Sequence, residues 1–369
     1  MKSVKQVGLV VEGYSKNQIF ECNPERDGFL ERFYMLRKSL RESNMECQSA
    51  DMLDPKSTDI LIFHDIMDSL EVILSTIKAN SSVKLVYLPN EPSFVIPFHH
   101  ESVLPKLPVD LILTWNDSII DDADHIKKLN IGQPILNEKL IFNIPFEEKK
   151  FICSIFAYKP SNEPGTLFEK RISIVQFFDE MPNGIDLFGI GWEQARLSFI
   201  DSAYKGTCKS KREVQKHYKF AIAYENIGTL PGLITEKIFD CFSAGVVPIY
   251  LGAPNIADYI PNACFIDVRG FDSYQDLYTY LDTMDEKTYQ KYLDAVKEFV
   301  RTSEYEIFTS DYYAKSIVGN ITNMLADENQ NRQPLTFKLK LIKRMFLYPP
   351  VLKNWKRYKR MFLAMIRVW

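Results

Sequence analysis

The residues of this 369-residue chain best suited to chemistry lie between Tyr218 and Phe271. An apolar run, Phe220 to Tyr224, ends in Glu225 and Asn226. A turn with Gly228, Pro231 and Gly232 follows, and a helical pattern opens near Ile234. A loop leading from strand to helix lays backbone N–H groups beside the positive end of the helix dipole, a geometry that suits an anion. Thr235, Glu236 and Lys237 fall in the first turn of that helix, where Lys237 adds a full positive charge to the partial one. Such a pair would hold a diphosphate leaving group without a metal. The same spacing also fits a solvated helix start, with Thr235 as cap and Glu236 and Lys237 as surface charges, and spacing alone leaves both open.

A second candidate is Glu91, where the apolar run Leu85 to Leu88 passes into Pro89-Asn90-Glu91-Pro92. Ligands of parallel α/β sheets bind outside the carboxyl ends of strands, so a carboxylate there can serve as a proton acceptor. The alternative is an exposed turn residue between two prolines. Asp122-Ala123-Asp124 has the D-x-D form that can hold a diphosphate-bridging metal, but its acidic surroundings read better as a solvated loop or helix start. His99 and His100 beside Glu101 lack any H-x-x-x-H or H-E-x-x-H spacing and are expected at the surface. Gly189-Ile190-Gly191 lacks the third glycine of a dinucleotide fingerprint and reads as the end of a strand. No G-x-S-x-G elbow supplies a hydrolase nucleophile.

These positions need elements to hold them. A length of 369 residues exceeds one ordinary core, so two domains are expected. Short apolar runs alternate with amphipathic stretches in both halves, the pattern of strands and helices in doubly wound parallel α/β sheets. In residues 1–147 the expected strands are Val7 to Val11, Ile60 to His64, Leu85 to Leu88, Leu111 to Trp115 and Leu140 to Ile144, with helices Phe29 to Leu40 and Leu70 to Lys78. A charged, proline-bearing junction, Pro145 to Lys150, leads into residues 148–330. There the expected strands are Phe151 to Tyr158, Ile185 to Gly189, Phe220 to Tyr224, Val247 to Leu251 and Cys264 to Val268. Helices are expected at Leu167 to Phe178, Ile234 to Ala244 and Tyr274 to Met284, with further polar helix over 285–330. Residues 331–369 form a tail.

Several linked motifs go beyond local spacing: Y-K-F-x-x-x-x-E-N from Tyr218, I-T-E-K from Ile234, G-x-V-P-I-Y-x-G-A from Gly245, then I-P, F-I and G-F. Together they closely resemble the carboxy-terminal signature of family 10 glycosyltransferases, the α-1,3/1,4-fucosyltransferases, in their bacterial form. Weaker similarity runs from about Leu85 to about Tyr292. The resemblance implies the GT-B architecture, two Rossmann-like domains facing a cleft, and inverting transfer of L-fucose from GDP-fucose to a hydroxyl of an N-acetylglucosamine-containing glycan. It implies that Lys237 and Arg171, in FEKRISIVQFF, bind the donor diphosphate, and that Asn226 and Glu236 contact the nucleotide sugar. It implies Glu91 as general base, on the N-terminal side because an in-line attack approaches opposite the leaving group. No cofactor or metal is implied. Many relatives carry an aromatic residue where this chain has Leu233, so donor fit differs in detail. Two alternatives stand beside this: a transferase of the same fold using another GDP-deoxyhexose, and a catalytically silent scaffold.

Composition sets the surroundings. An apolar share of 46% with 25% charged residues excludes a disordered chain. Residues 335–369 carry ten Lys or Arg and no acid, so the overall charge of −3 hides an acidic body with a basic tail. Within the tail Trp355, Tyr358, Phe362, Met365, Ile366 and Trp369 recur at helical spacing opposite Lys353, Lys356, Arg357, Arg360 and Arg367. That pattern predicts an amphipathic helix on an anionic membrane surface rather than a nucleic-acid binder. The amino-terminal apolar run is far shorter than a membrane span, so the expectation is a cytoplasmic enzyme held at the inner membrane face, near a surface-polysaccharide, O-antigen or glycoprotein acceptor, lipid-linked or free. Six cysteines without a C-x-x-C pair are expected to be reduced, buried small hydrophobes.

Overall fold

The computed structural model describes residues 4–21, 25–65, 70–120, 123–136 and 144–326. The chain divides into two compact units, each built on its own parallel sheet.

Among the described residues the first unit comprises those before Asn23, Leu30–Gly132 and Ser310–Ala326. Its elements are β1 (Lys5–Val11), α1 (Glu31–Glu42), β2 (Met45–Ser49), β3 (Ile60–His64), α2 (Leu70–Ala79), β4 (Lys84–Leu88), β5 (Leu111–Thr114) and β6 (Ile126–Lys128). The sheet order is β2-β1-β3-β4-β5-β6, every pairing parallel. β3 and β4 are buried along almost their whole length because helices cover both faces, which is why they read as continuous apolar runs. β2 and β6 were not expected. β2 alternates buried Met45, Cys47 and Ser49 with Glu46 and Gln48 at the sheet edge, and β6 has only three residues. The expected strand Leu140 to Ile144 lies almost wholly outside the described residues.

A helix far down the chain, Ser310–Ala326, completes this unit. Its Tyr313, Ala314, Ile317 and Ile321 recur on one face and share a core with Phe33, Leu36 and Leu40 of α1. Full burial of each isoleucine, leucine or phenylalanine in this set stabilises the fold by about 1.5–3 kcal/mol.

The second unit is Pro24–Phe29 with Gln133–Thr309. It holds β7 (Lys150–Ile155), α3 (Phe168–Asp179), β8 (Asp186–Phe188), α4 (Ile200–Ala203), α5 (Lys211–Gln215), β9 (Tyr218–Tyr224), α6 (Glu236–Ala244), β10 (Val247–Leu251), β11 (Ile266–Asp267), α7 (Tyr274–Asp282), α8 (Glu286–Phe299) and α9 (Ser303–Glu306). The order β11-β10-β9-β7-β8 puts β9 at the centre of an all-parallel sheet.

The division into units differs from the expected 1–147, 148–330 and 331–369. The break falls after Gly132, and Pro145 to Lys150 is packed within the second unit rather than acting as a linker. Lys149 is buried, with Nζ donating to the Gly245 carbonyl and, at 3.0 Å, to Tyr289 Oη. Burial lowers its pKa to about 8. A charged residue in a junction signals solvent only if its ammonium stays outside. Here it satisfies the carbonyl of Gly245, the left-handed residue that closes α6.

Residues 331–369, with the amphipathic pattern, lie outside the described residues. Among the described residues no helix is long and apolar enough to cross a membrane. Cys47, Cys153, Cys241 and Cys264 are buried free thiols, and Cys208 is a free thiol at intermediate depth.

Candidate active site

In the second unit the sequence Tyr224-Glu225-Asn226 ends the central strand. The Glu225 N–H donates to the Leu251 carbonyl at 2.8 Å, extending the ladder by one residue. Its side chain therefore emerges at the carboxyl edge of the sheet, 0% exposed. A buried carboxylate must be satisfied by donors or cations, and here three groups make four contacts with it. The N–H of Thr235 donates to Oε1 at 2.8 Å, the Thr235 hydroxyl stands 3.0 and 2.8 Å from the two oxygens, and Lys237 Nζ is 3.1 Å from Oε2. Thr235 is the N-cap of α6, yet its hydroxyl bonds Glu225 instead of capping its own helix. The helix thus opens at Glu236, two residues later than expected.

This packing explains part of the G-A motif. A Cβ on Gly252 would lie 2.4 Å from Tyr250 Oη and 2.5 Å from Glu225 Cγ, so no side chain fits there. Tyr250 Oη in turn accepts the Ala253 N–H at 3.1 Å.

Arg171 lies on α3, 7% exposed. Its Nη2 donates to the Tyr224 carbonyl and, at 3.0 Å, to Asn226 Oδ1, and its guanidinium stacks 5.3 Å over the Phe156 ring. Both hydrogen bonds use one nitrogen, which leaves the remaining donors of the fork for a ligand. Burial lowers its pKa to about 10, against the pull of Glu225 and Glu236, so it stays charged near neutrality.

Lys237 and Arg171 line one pocket with Lys211, Ser154, Gln215 and Asp240. Lys211, which the sequence did not single out, holds Nζ 3.2 Å from Glu236 and 2.8 Å from Asp240. Burial opposes its charge, but the two carboxylates outweigh that and raise its pKa. Burial likewise pushes Glu236 up, yet Lys237 and Lys211 prevail and hold it below the usual carboxylate range. Asp240, more enclosed, is pushed up to about 6 by burial. Lys211 starts a short helix whose first turn is tied by a residue from near the amino terminus. The Ser210 hydroxyl and the Lys211 N–H donate to the Asp27 carboxylate at 2.5 and 2.9 Å. No local pattern reveals such a contact, because its partners are more than 180 residues apart.

Glu91 belongs to the first unit, in the loop after β4. Beside it the structure corrects an expectation: His100 is exposed, but His99 is buried at 4%. The turn Pro97–His99 carries Phe98 and His99 inward together, and Phe98 joins the core around Tyr87 and Leu104. Of the D-x-D run, Asp122 lies outside the described residues and Asp124 is exposed in the turn before β6. Gly189 and Gly191 follow β8, as expected for a strand end.

Residues 151–337, just over half of the chain, match the family "Glycosyltransferase family 10 (fucosyltransferase) C-term". An α-(1,4)-fucosyltransferase of Arabidopsis thaliana is 40% identical over 78 residues, 21% of this chain and 19% of that protein. A mouse 4-galactosyl-N-acetylglucosaminide 3-α-L-fucosyltransferase is 28% identical over 163 residues, 43% of this chain and 40% of the relative. The matches thus span well under two thirds of either relative's length. A crystal structure of an α1,3-fucosyltransferase with GDP aligns with a TM-score of 0.53 over 89% of this chain and 92% of that one, at 14% identity, which shows a shared GT-B fold. A signature of linked motifs, two parallel-sheet units and a family match across the second of them lead to one statement: the chain belongs to glycosyltransferase family 10, the fucosyltransferases.

Proposed function

We propose that this chain transfers L-fucose from GDP-fucose, with inversion, to a hydroxyl of an N-acetylglucosamine-containing glycan in α-1,3 or α-1,4 linkage. The observation that carries this is the convergence of Arg171, Lys211 and Lys237 on one pocket at the carboxyl edge of the second sheet. Two of them match the family's diphosphate ligands, and the names of the relatives support fucose as the sugar.

In this mechanism Arg171 and Lys237 bind the diphosphate and neutralise the charge that grows on it as its bond to the anomeric carbon breaks. Glu236, with about half of its side chain exposed, and Asn226 take hydroxyls of the ribose or fucose. The ionised Glu236 also balances an oxocarbenium-like sugar. Glu91 accepts the proton of the attacking hydroxyl. The fixed cations do the work that a metal does in other transferases, so no metal or cofactor takes part. Residues 335–369 lie on the cytoplasmic face of an anionic membrane and hold the enzyme beside a lipid-linked acceptor; what supports this is their charge and spacing.

Calorimetry with GDP and UDP in excess chelator, followed by transfer assays in the same buffer, tests the proposal. GDP binding and sustained transfer are expected. Activity lost in chelator and restored by manganese, or equal binding of UDP, would overturn it.

A further inference from the structure

We propose that Asp65, His99 and Tyr87 are positioning residues that hold Glu91 in place for proton abstraction, by clamping the backbone of the Asn90–Glu91 loop rather than touching the carboxylate. The proposal rests on Glu91 as the base.

All four backbone polar groups of these two residues are taken by buried side chains. The N–H groups of Asn90 and Glu91 donate to one oxygen of Asp65, at 2.8 and 3.3 Å. The Asn90 carbonyl accepts from Trp115 Nε1 at 3.0 Å, and the Glu91 carbonyl bonds His99 Nδ1. His99 Nε2 bonds Tyr87 Oη. A carbonyl can only accept, so Nδ1 must carry the proton, and the neutral ring then accepts at Nε2 from the Tyr87 hydroxyl. Burial lowers the His99 pKa to about 4, which keeps the ring neutral and this tautomer fixed at physiological pH.

The arrangement is costly for a mere turn. Loop backbone at a surface is satisfied by water, whereas here Asp65, Tyr87, His99 and Trp115 are all buried. Asp65 also adopts a left-handed backbone, φ 55°, which non-glycine residues rarely take without a reason. That conformation lets its N–H extend the β3 ladder to the Leu88 carbonyl while its carboxylate reaches two residues further along the neighbouring chain. Pro89 and Pro92 flank the loop and restrict it further. A base displaced by about 1 Å can lose on the order of 10² in rate, so rigid support of this kind has a catalytic use.

The test is a double-mutant cycle in the intact chain, with kcat, donor KM and GDP affinity measured for D65S, H99L and Y87F, each alone and with E91Q. D65S and H99L should lower kcat by about 10²-fold with GDP affinity unchanged. D65N, which keeps an acceptor and tolerates the left-handed backbone, and H99N, which keeps a donor near Nδ1, should recover most of that loss. Added to E91Q, none should slow transfer further, because a clamp has nothing to position once the base is gone. Losses that add to E91Q, or full kcat in D65S and H99L, would overturn the proposal. Should those variants not fold, Y87F removes only a hydroxyl, and an unchanged kcat there overturns it equally. An E91Q protein that transfers normally removes the underlying assignment of the base, a failure seen in that single variant before any cycle is closed.

Discussion

Asp65 in the first unit and Glu225 in the second occupy equivalent places and are used in opposite ways. Each directly follows a strand of a parallel sheet, and each donates its own N–H to the end of the neighbouring strand, Leu88 in one case and Leu251 in the other. Each carries a buried carboxylate, Glu225 turning it to the helix start after its own strand and Asp65 to the loop after the neighbouring strand. Glu225 meets a lysine, a hydroxyl and the N–H at a helix start, whereas Asp65 meets backbone N–H groups and histidines. A lysine ammonium stands directly against Glu225 beside the Thr235 dipoles, whereas the direct partners of Asp65 are backbone N–H groups, within the fields of Arg32 and Glu12. Fixed charge suits a site that must hold a polyanion arriving and departing. Hydrogen bonds directed to the backbone suit a site that must hold a loop still.

The sharpest way to break this contrast is to remove each functional charge. Glu91→Gln should lower transfer about 10²- to 10⁴-fold, the worth of a general base, while GDP binds normally by calorimetry. Unchanged transfer would make the first unit's loop a structural turn. Arg171→Ala and Lys237→Ala should each weaken GDP binding by about 1.5–3 kcal/mol, the scale of a charged hydrogen bond, and Arg171→Ala should also lower GDP-free thermal stability because it strips the Tyr224 carbonyl and Asn226 of a buried donor.

A subtler effect separates the two kinds of surrounding by pH. Burial depresses His99 from 6.5 to about 4, so its contribution to stability is present above 6.5 and lost as pH falls through 4. Burial raises Asp65 from 3.8 to about 6, so the folded state binds that proton more tightly, and stability is lost as pH rises from 4 to 6. The two offset each other in the parent protein. Relative to it, His99→Asn should lose stability as pH rises from 4 to 6, and Asp65→Asn should gain it. Each slope is at most about 1.4 kcal/mol per pH unit in urea unfolding. Slopes of the same sign would show that the two groups do not act as described. The smallest effect on chemistry is expected from deleting residues 335–369, which should abolish sedimentation with anionic vesicles and leave kcat on a soluble acceptor unchanged. Retained vesicle binding would place the membrane contact elsewhere.

Legibility in the sequence follows the same contrast. The run Thr235-Glu236-Lys237 at the start of a helix in the second unit was readable because the three are consecutive and the motifs around them occupy some fifty residues. Gly252, whose place is fixed by Glu225, belongs to that readable pattern. The strands Ile60–His64 and Val247–Leu251 were legible to the residue, since strands buried on both faces leave continuous apolar runs. Asp65 was silent: after Ile-Leu-Ile-Phe-His an aspartate looks like any turn residue, and its partners lie 25 and 26 residues on. His99 was misplaced at the surface because a polar pair such as His99-His100 gives no hint of which member turns inward. Lys211 depends on Asp27, Glu236 and Asp240, brought together only by the tertiary fold.

The helix Ser310–Ala326 carries a consequence for how the protein is made. The ribosome releases α1 with Phe33, Leu36 and Leu40 early, but the face that covers them is synthesised only after the whole second unit has emerged. The later-made unit can therefore mature first, while the earlier one waits with an apolar surface open to chaperones. For the same reason a fragment cut at Gly132 would be a poor candidate for independent expression, whereas grafting Ser310–Ala326 onto it through a short linker should restore a soluble, cooperatively melting domain.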